Sequence, residues 1–190
     1  MQKSKPVRRN KKGAHIAEFG AAFVAFFFFV LIPCINVVGF GAGYSLAQST
    51  TSKTADSLSK SKNHKQIANL FLRTTNSINE RSAFKTLRLE PAKRPIELSV
   101  AIENLKGQER IFPLTKNLES NLDIDRSKNM YRYRITTKFI SKPILDLSGI
   151  PVVGNIPILA APTPIKLTQY RDIEHPEFLQ SEDNKVSRLF

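Results

Sequence analysis

Cysteine is almost missing from this chain, with Cys34 the single one among 190 residues. No intrachain disulfide can form, and no cysteine-rich metal centre can be built. Histidine is nearly as scarce: His15, His64 and His175 lie far apart and without the HExxH spacing of a zinc-binding helix. A glycine-rich phosphate loop is also missing. Ser57-Leu58-Ser59-Lys60 fits a Ser-x-x-Lys pattern, but it sits in a stretch full of serine and lysine and has no Ser-Asp-Asn or Lys-Thr-Gly companion. Glu174, His175 and Glu177 surround Pro176 in a polar tail segment that offers no burial to tune a pKa. The sequence points away from an enzyme, and no cofactor or metal is expected.

Charge is missing from one long stretch. Between Lys12 and Lys53 the only charged residue is Glu18, and from Phe19 to about Ala47 the chain is dominated by phenylalanine, alanine, valine and isoleucine, softened by Pro33, Cys34 and Asn36. A bilayer core of about 30 Å needs about 20 such residues in a helix, so this run is long enough to span. Lys3, Lys5, Arg8, Arg9, Lys11 and Lys12 precede it, while its other flank, Gln48 to Ser52, is uncharged. That bias places the N-terminus in the cytoplasm and the rest of the chain outside it. Two plainer readings compete: a cleavable signal ending near Ser45-Leu46-Ala47, whose apolar region is usually only about 7–15 residues, and an uncleaved anchor.

Neither of these accounts for Glu18. A carboxylate in a membrane helix costs up to about 2.5–3.5 kcal/mol at mid-bilayer, so it is normally partnered. A cut after Gly13 would make Glu18 the fifth residue of a new chain and leave Ala14 with a free α-amino group. The amine of a neighbouring copy could then pair with Glu18 and set the register between stacked helices. A simpler alternative is an acid favoured by the helix dipole at an N-terminal turn.

The arrangement Arg8-Arg9…Gly13…Ala17-Glu18-Phe19 followed by a hydrophobic helix resembles the type IV pilin superfamily, and most closely the TadE-like pseudopilins of the tight-adherence (Tad) system. The resemblance covers about residues 8–47. It implies that Gly13 precedes a prepilin-peptidase cleavage site, that Ala14 becomes the mature N-terminus, and that Glu18 and Phe19 serve recognition and assembly. It further implies a bacterial inner-membrane protein with its C-terminal domain periplasmic or extracellular, and partners that include the membrane, a prepilin peptidase and other pilin-like subunits. Size favours a minor pseudopilin or assembly component over a bulk filament subunit. The alternative is a single-pass anchored extracytoplasmic binding module outside any pilus. Pro33 is not where the family pattern puts its helix proline, so no role is transferred to it.

Beyond the helix, the expected organisation is a basic leader over 1–13, a membrane helix over 14–47, a flexible linker over 48–62 and an α+β domain over 63–190. Ser, Thr and Lys dominate 49–62, which reads as a frayed connection. Asn63 and Gln66 fit a capping box for a helix reaching about Arg81, with Ile67, Leu70, Phe71 and Ile78 on one face. Ile96–Ile102, Met130–Phe139 and Ile165–Arg171 alternate as half-buried strands, with Tyr131, Tyr133 and Ile135 facing inward, which predicts an antiparallel sheet of at least three strands with one wet face and no tight hairpin between them. A proline-bearing apolar stretch from Pro143 to Pro164 is expected as a loop packed beneath the sheet, with a dip of Ile158-Leu159-Ala160-Ala161 against a membrane or partner as the alternative.

The formal net charge of +13 invites a nucleic-acid reading. Six of the basic residues belong to the leader, and Lys60/Lys62/Lys65 and Arg132/Arg134/Lys138 are the local concentrations that remain. A solvated face or attraction to anionic lipid explains them better, and specific nucleic-acid binding is not expected.

Overall fold

The computed structural model describes residues 11–80, 82–114, 124–149, 154–176 and 179. The expected α+β class holds: a long apolar helix at the N-terminal end, then helices packed on a four-stranded antiparallel sheet.

The long helix runs as α1 (Lys11–Phe26), a π-helical turn (Phe27–Leu31) and α2 (Ile32–Ser59). In the π turn the Ile32 N–H reaches back five residues to the Phe27 carbonyl. Pro33 follows directly. A proline inside a helix has no N–H to give and its ring presses on the carbonyl four residues earlier, here that of Phe29; one widened turn absorbs both defects without breaking the rod.

The helix does not end at Ala47, and this corrects the flexible linker expected over 48–62. It continues to Ser59, and Thr50, Thr51, Thr54, Ala55, Leu58 and Ser59 are buried. Serine and threonine disfavour helices because their hydroxyls compete for backbone groups. Here they bond within the helix instead: Thr51 Oγ1 donates to the Ala47 carbonyl (2.8 Å), Thr54 Oγ1 to Thr50 (2.7 Å) and Ser59 Oγ to Asp56 (2.9 Å). With their hydroxyls satisfied, these residues join Ala47, Ala55 and Leu58 on one inward stripe at helical spacing.

The next helix, α3 (His64–Glu80), starts as its sequence suggests. Asn63 Oδ1 accepts from the Gln66 N–H (2.9 Å), and Gln66 Oε1 accepts in return from the Lys62 N–H (2.8 Å). Ile67 and Ile78 are buried, with Leu70 and Phe71 packed against the same core. A short α4 (Ser82–Thr86) then inserts Phe84, whose ring stacks on Phe139 at 5.5 Å.

Strands β1 (Leu89–Asn104), β2 (Glu109–Pro113), β3 (Asn129–Ser141) and β4 (Thr163–Asp172) lie in the order β2-β1-β3-β4, each pair antiparallel. The three expected strands are β1, β3 and β4; β2 adds a fourth at the edge. β1 is interrupted between Pro91 and Ile96, where pairing to β3 shifts register. Pro91 and Pro95 cannot donate to the ladder, so the strand bulges there. The connections among the three expected strands are long, as expected, and a tight turn joins β1 to the additional strand β2. Gly107 adopts φ +73, and Asn104 Oδ1 accepts from the N–H groups of Lys106 and Gln108. An asparagine folded onto its own turn and a glycine at positive φ are what so short a connection requires.

The inner sheet face carries Leu98, Val100, Tyr131, Tyr133, Ile135, Phe139, Ile165 and Leu167, all buried under α2 and α3. On the outer face the basic residues of β3 meet acids of β1: Arg132 pairs with Glu103, and Lys138 with Glu97 at 2.5 Å. Arg132 also lies 5.7 Å from the centre of the Tyr170 ring. The Arg132/Arg134/Lys138 concentration is therefore partly neutralised across the strands.

Candidate functional site

Two regions of the long helix bear on function: its apolar N-terminal part and the point where the domain grips it. Gly13 and Ala14 fall within α1, and their side-chain surroundings lie outside the described residues. Glu18 and Phe19 are exposed, Phe19 to 74%. Phe23, Phe26 and Phe29 continue this apolar surface, each more than half exposed. Among the described residues the domain leaves these rings largely open, with the loop tip at Ile156 and Leu159 beside Phe29. From Glu18 onward the helix is long and apolar enough to cross a membrane.

The grip begins at Ile32. Asn36 is 1% exposed although it stands in an apolar run. Its Nδ2 donates to the carbonyls of Leu145 (2.9 Å) and Leu159 (2.5 Å), and its Oδ1 accepts from the Leu145 N–H (2.8 Å). One side chain thus holds both limbs of the proline-bearing loop. One turn on, Gly39 leaves space that the Ile144 side chain fills; a Cβ at Gly39 would stand 2.3 Å from Ile144 Cδ1. Another turn on, Gly43 faces Leu89, and Ala47 is fully buried. The small residues at 39, 43 and 47 form a smooth track on which the domain seats itself.

The loop therefore does not pack beneath the sheet as the sequence suggests. Ile32, Leu147 and Ala160 form a separate small core with Leu145, against the helix. Asn36 and the Gly39-xxx-Gly43-xxx-Ala47 spacing went unread as a contact surface, yet both signals are visible in the sequence: a lone amide in an apolar helix and small residues every fourth position.

Among the described residues, three concavities bear on the helix and the sheet edge. One of about 280 Å³ between α2 and α3 is lined largely by polar groups, including Thr50, Lys53, Ser57 and Arg73. One of about 580 Å³ lies beside the β1 bulge, between Phe71, Thr75, Lys93, Arg94 and Leu114. The third, about 780 Å³, is apolar and lies between the helix and the loop tip, at Val24, Phe28, Phe29, Pro33, Ile156 and Leu159. Ser57 is exposed on α2 and Lys60 just past its end, Glu174 and His175 are exposed beyond β4, and Glu177 lies outside the described residues. Among the described residues no three His, Cys, Asp or Glu side chains are placed to hold a metal.

Two ionisable groups stand out in the domain. The Tyr133 phenol is fully buried, and desolvation pushes its pKa up. Its oxygen has no hydrogen-bond partner among the described residues. Asp125, in the turn leading into β3, is held at about 2, first by its hydrogen bond with Lys128 and then by those from Ser127. Both are structural features of the core and of a turn.

No family model, curated protein or solved structure matches the chain.

Proposed function

We propose that this chain is a pilin-like membrane protein of the TadE-like kind, a minor pseudopilin or assembly component of a Tad-type pilus or secretion system. The observation that carries the reading is the placement of Glu18. It stands five residues after Gly13 on the exposed apolar end of one uninterrupted helix, and the other end of that helix is the core helix of the domain. A rod shared in this way transmits any register fixed at Glu18 directly to the sheet, because no joint intervenes between them. Exposed Phe19, Phe23 and Phe26 suit the rod to lie first among lipids and then among other helices.

In this reading the basic leader stays cytoplasmic, the helix crosses the bacterial inner membrane, and the α+β domain faces the periplasm or the exterior. A prepilin peptidase cuts between Gly13 and Ala14. The deciding measurement is the N-terminal residue of the membrane-extracted protein from cells that contain such a peptidase. Ala14 is the expected result. An intact N-terminus, or a cut after Ala47, would leave an anchored binding module or a secreted domain in its place.

A further inference from the structure

We propose that the tip of the proline-bearing loop, around Ile156 and Leu159, is a second membrane contact, sunk into the same bilayer leaflet through which the helix emerges. The inference requires only that the helix cross a bilayer; it holds whether or not the chain joins a pilus.

Depth is the first argument. About twenty residues from Ala14, rising about 1.5 Å each, cover a hydrocarbon core of about 30 Å and bring its far edge to about Cys34. Phe28 and Phe29 then lie about 8 Å below that edge. Ile156 and Leu159 close an apolar groove with these same two rings, Val24 and Pro33. The loop cannot reach them without entering the leaflet.

Backbone satisfaction is the second argument. Irregular chain survives at membrane depth only where its polar groups are paired. Pro157 and Pro162 have no N–H. The Ile158 N–H donates to Thr163 Oγ1 (2.8 Å), and those of Ala160 and Ala161 both donate to the Ile156 carbonyl (2.9 and 3.1 Å). The Leu159 carbonyl accepts from Asn36. Ile158 takes φ +70 within this turn, a conformation that β-branched residues avoid and that these bonds hold in place. These bonds pair three of the tip's N–H groups and two of its carbonyls within the chain.

The pattern of charge agrees. No charged residue occurs between Asp146 and Lys166, in a chain that is 24% charged. Just beside this apolar stretch the surface becomes polar: Lys85 and Arg88 are exposed, and Arg88 Nη1 donates to the Pro143 carbonyl (3.0 Å). Lys142 is paired with Glu90, and Asp146 lies near Arg88. An apolar tip below a band that mixes cations and acids fits the boundary between acyl chains and headgroups.

The test uses the full chain in lipid vesicles, with Cys34→Ala as background and one environment-sensitive fluorophore attached at a time through Ile156→Cys, Asn155→Cys, Phe23→Cys or Leu105→Cys. Ile156 and Asn155 are exposed to the surroundings, so neither label disturbs the core, and Leu105 marks the far end of the domain at 83% exposure. The expected result is blue-shifted emission at 156 and 155, quenching there by shallow spin-labelled acyl chains, and loss of most of the iodide quenching seen at 105. Phe23→Cys reports on the helix itself and should be quenched by lipid. Iodide quenching at 156 and 155 equal to that at 105, with the Phe23 label in lipid, overturns the proposal. Protection from iodide without lipid quenching, the signature of a protein cover, also overturns it. A Phe23 label outside lipid overturns it together with the membrane helix.

Discussion

The hydroxyls of Thr51 on the long helix and Thr137 at the centre of the sheet lie 2.6 Å apart, and both residues are fully buried. Thr51 has one hydroxyl proton and gives it to the Ala47 carbonyl. The proton between the two threonines must therefore come from Thr137. This single bond ties the helix that leaves the domain to the strand at its middle, and its polarity makes the two partners unequal.

Thr51→Val should destabilise the chain by about 1–3 kcal/mol, because it strands the Thr137 donor in the core. Thr137→Val should cost less, about 0.5–1.5 kcal/mol, since Thr51 still donates to Ala47. The double variant should lie close to the milder single, as two apolar groups of matching shape leave nothing unpaired. Denaturant unfolding of the solubilised full chain measures all three. Equal losses for the two single variants would refute this assignment of the proton.

Tyr133→Phe should stabilise the domain by about 1–2 kcal/mol, since the ring keeps its packing and a buried hydroxyl without a partner is removed. The wild-type chain should also lose stability in alkali. A phenol with a raised folded pKa stabilises the protein fully below its unfolded value of about 10 and progressively less above it, because only the unfolded chain then releases the proton. Asp125 works in the opposite sense. Held at about 2, it contributes above its unfolded value and is lost as the pH falls toward 2. Thermal melts between pH 8 and 11 should fall more steeply for wild type than for Tyr133→Phe. Parallel curves would mean that the phenol is hydrated.

How much of this was legible depends on what each residue needs in order to be understood. Tyr131, Tyr133 and Ile135 announce their strand because alternation is a local property of the chain. Asn63 and Gln66 announce a helix start for the same reason. β2 was not legible: within Glu109–Pro113 only Phe112 is even partly buried, so the segment carries no inward stripe. Thr50, Thr51 and Thr54 looked like linker because their burial depends on hydroxyls turning back to carbonyls four residues earlier, which composition does not record. Asn36 was harder still. Its partners Leu145 and Leu159 lie 109 and 123 residues away, so the amide is visible in the sequence while the loop that it holds is not.

Asn36→Leu should release the proline-bearing loop while leaving the sheet intact. The substitution takes away the two Nδ2 donations that the Leu145 and Leu159 carbonyls accept and the Oδ1 to which the Leu145 N–H donates, a cost of about 2–4 kcal/mol that falls on that local contact. Gly39→Leu should produce the same opening by a different route, since the new Cβ occupies the place of Ile144 Cδ1. Hydrogen exchange should rise at Leu145 and Ala160 in both variants and stay unchanged at Tyr133 and Ile135. Exchange that rises throughout the sheet would make the grip part of the folding core and not a separable latch.

Glu18→Ala should leave membrane insertion intact or slightly improved, because removing a carboxylate from an apolar helix lowers the cost of insertion. Assembly should nevertheless fail. Phe19 and the rings beyond it are exposed and apolar, so they attract a neighbouring helix at many registers with similar energy. On the proposed pilin-like reading, a charge pair between Glu18 and the α-amino group of Ala14 on an adjacent copy would select one register, because every slip of the two helices would separate the charges. The rod from Glu18 to Ser59 has no break in its helical path, so an error in register at the membrane end displaces the whole domain. The measurement is recovery of the variant in sheared surface filaments or in cross-linked complexes with other pilin-like subunits, alongside its level in the membrane fraction. Normal membrane levels with loss from the assemblies is the expected outcome. Normal incorporation would reduce Glu18 to an acid at the end of a helix, with a worth of about 0.3–1 kcal/mol through the helix dipole.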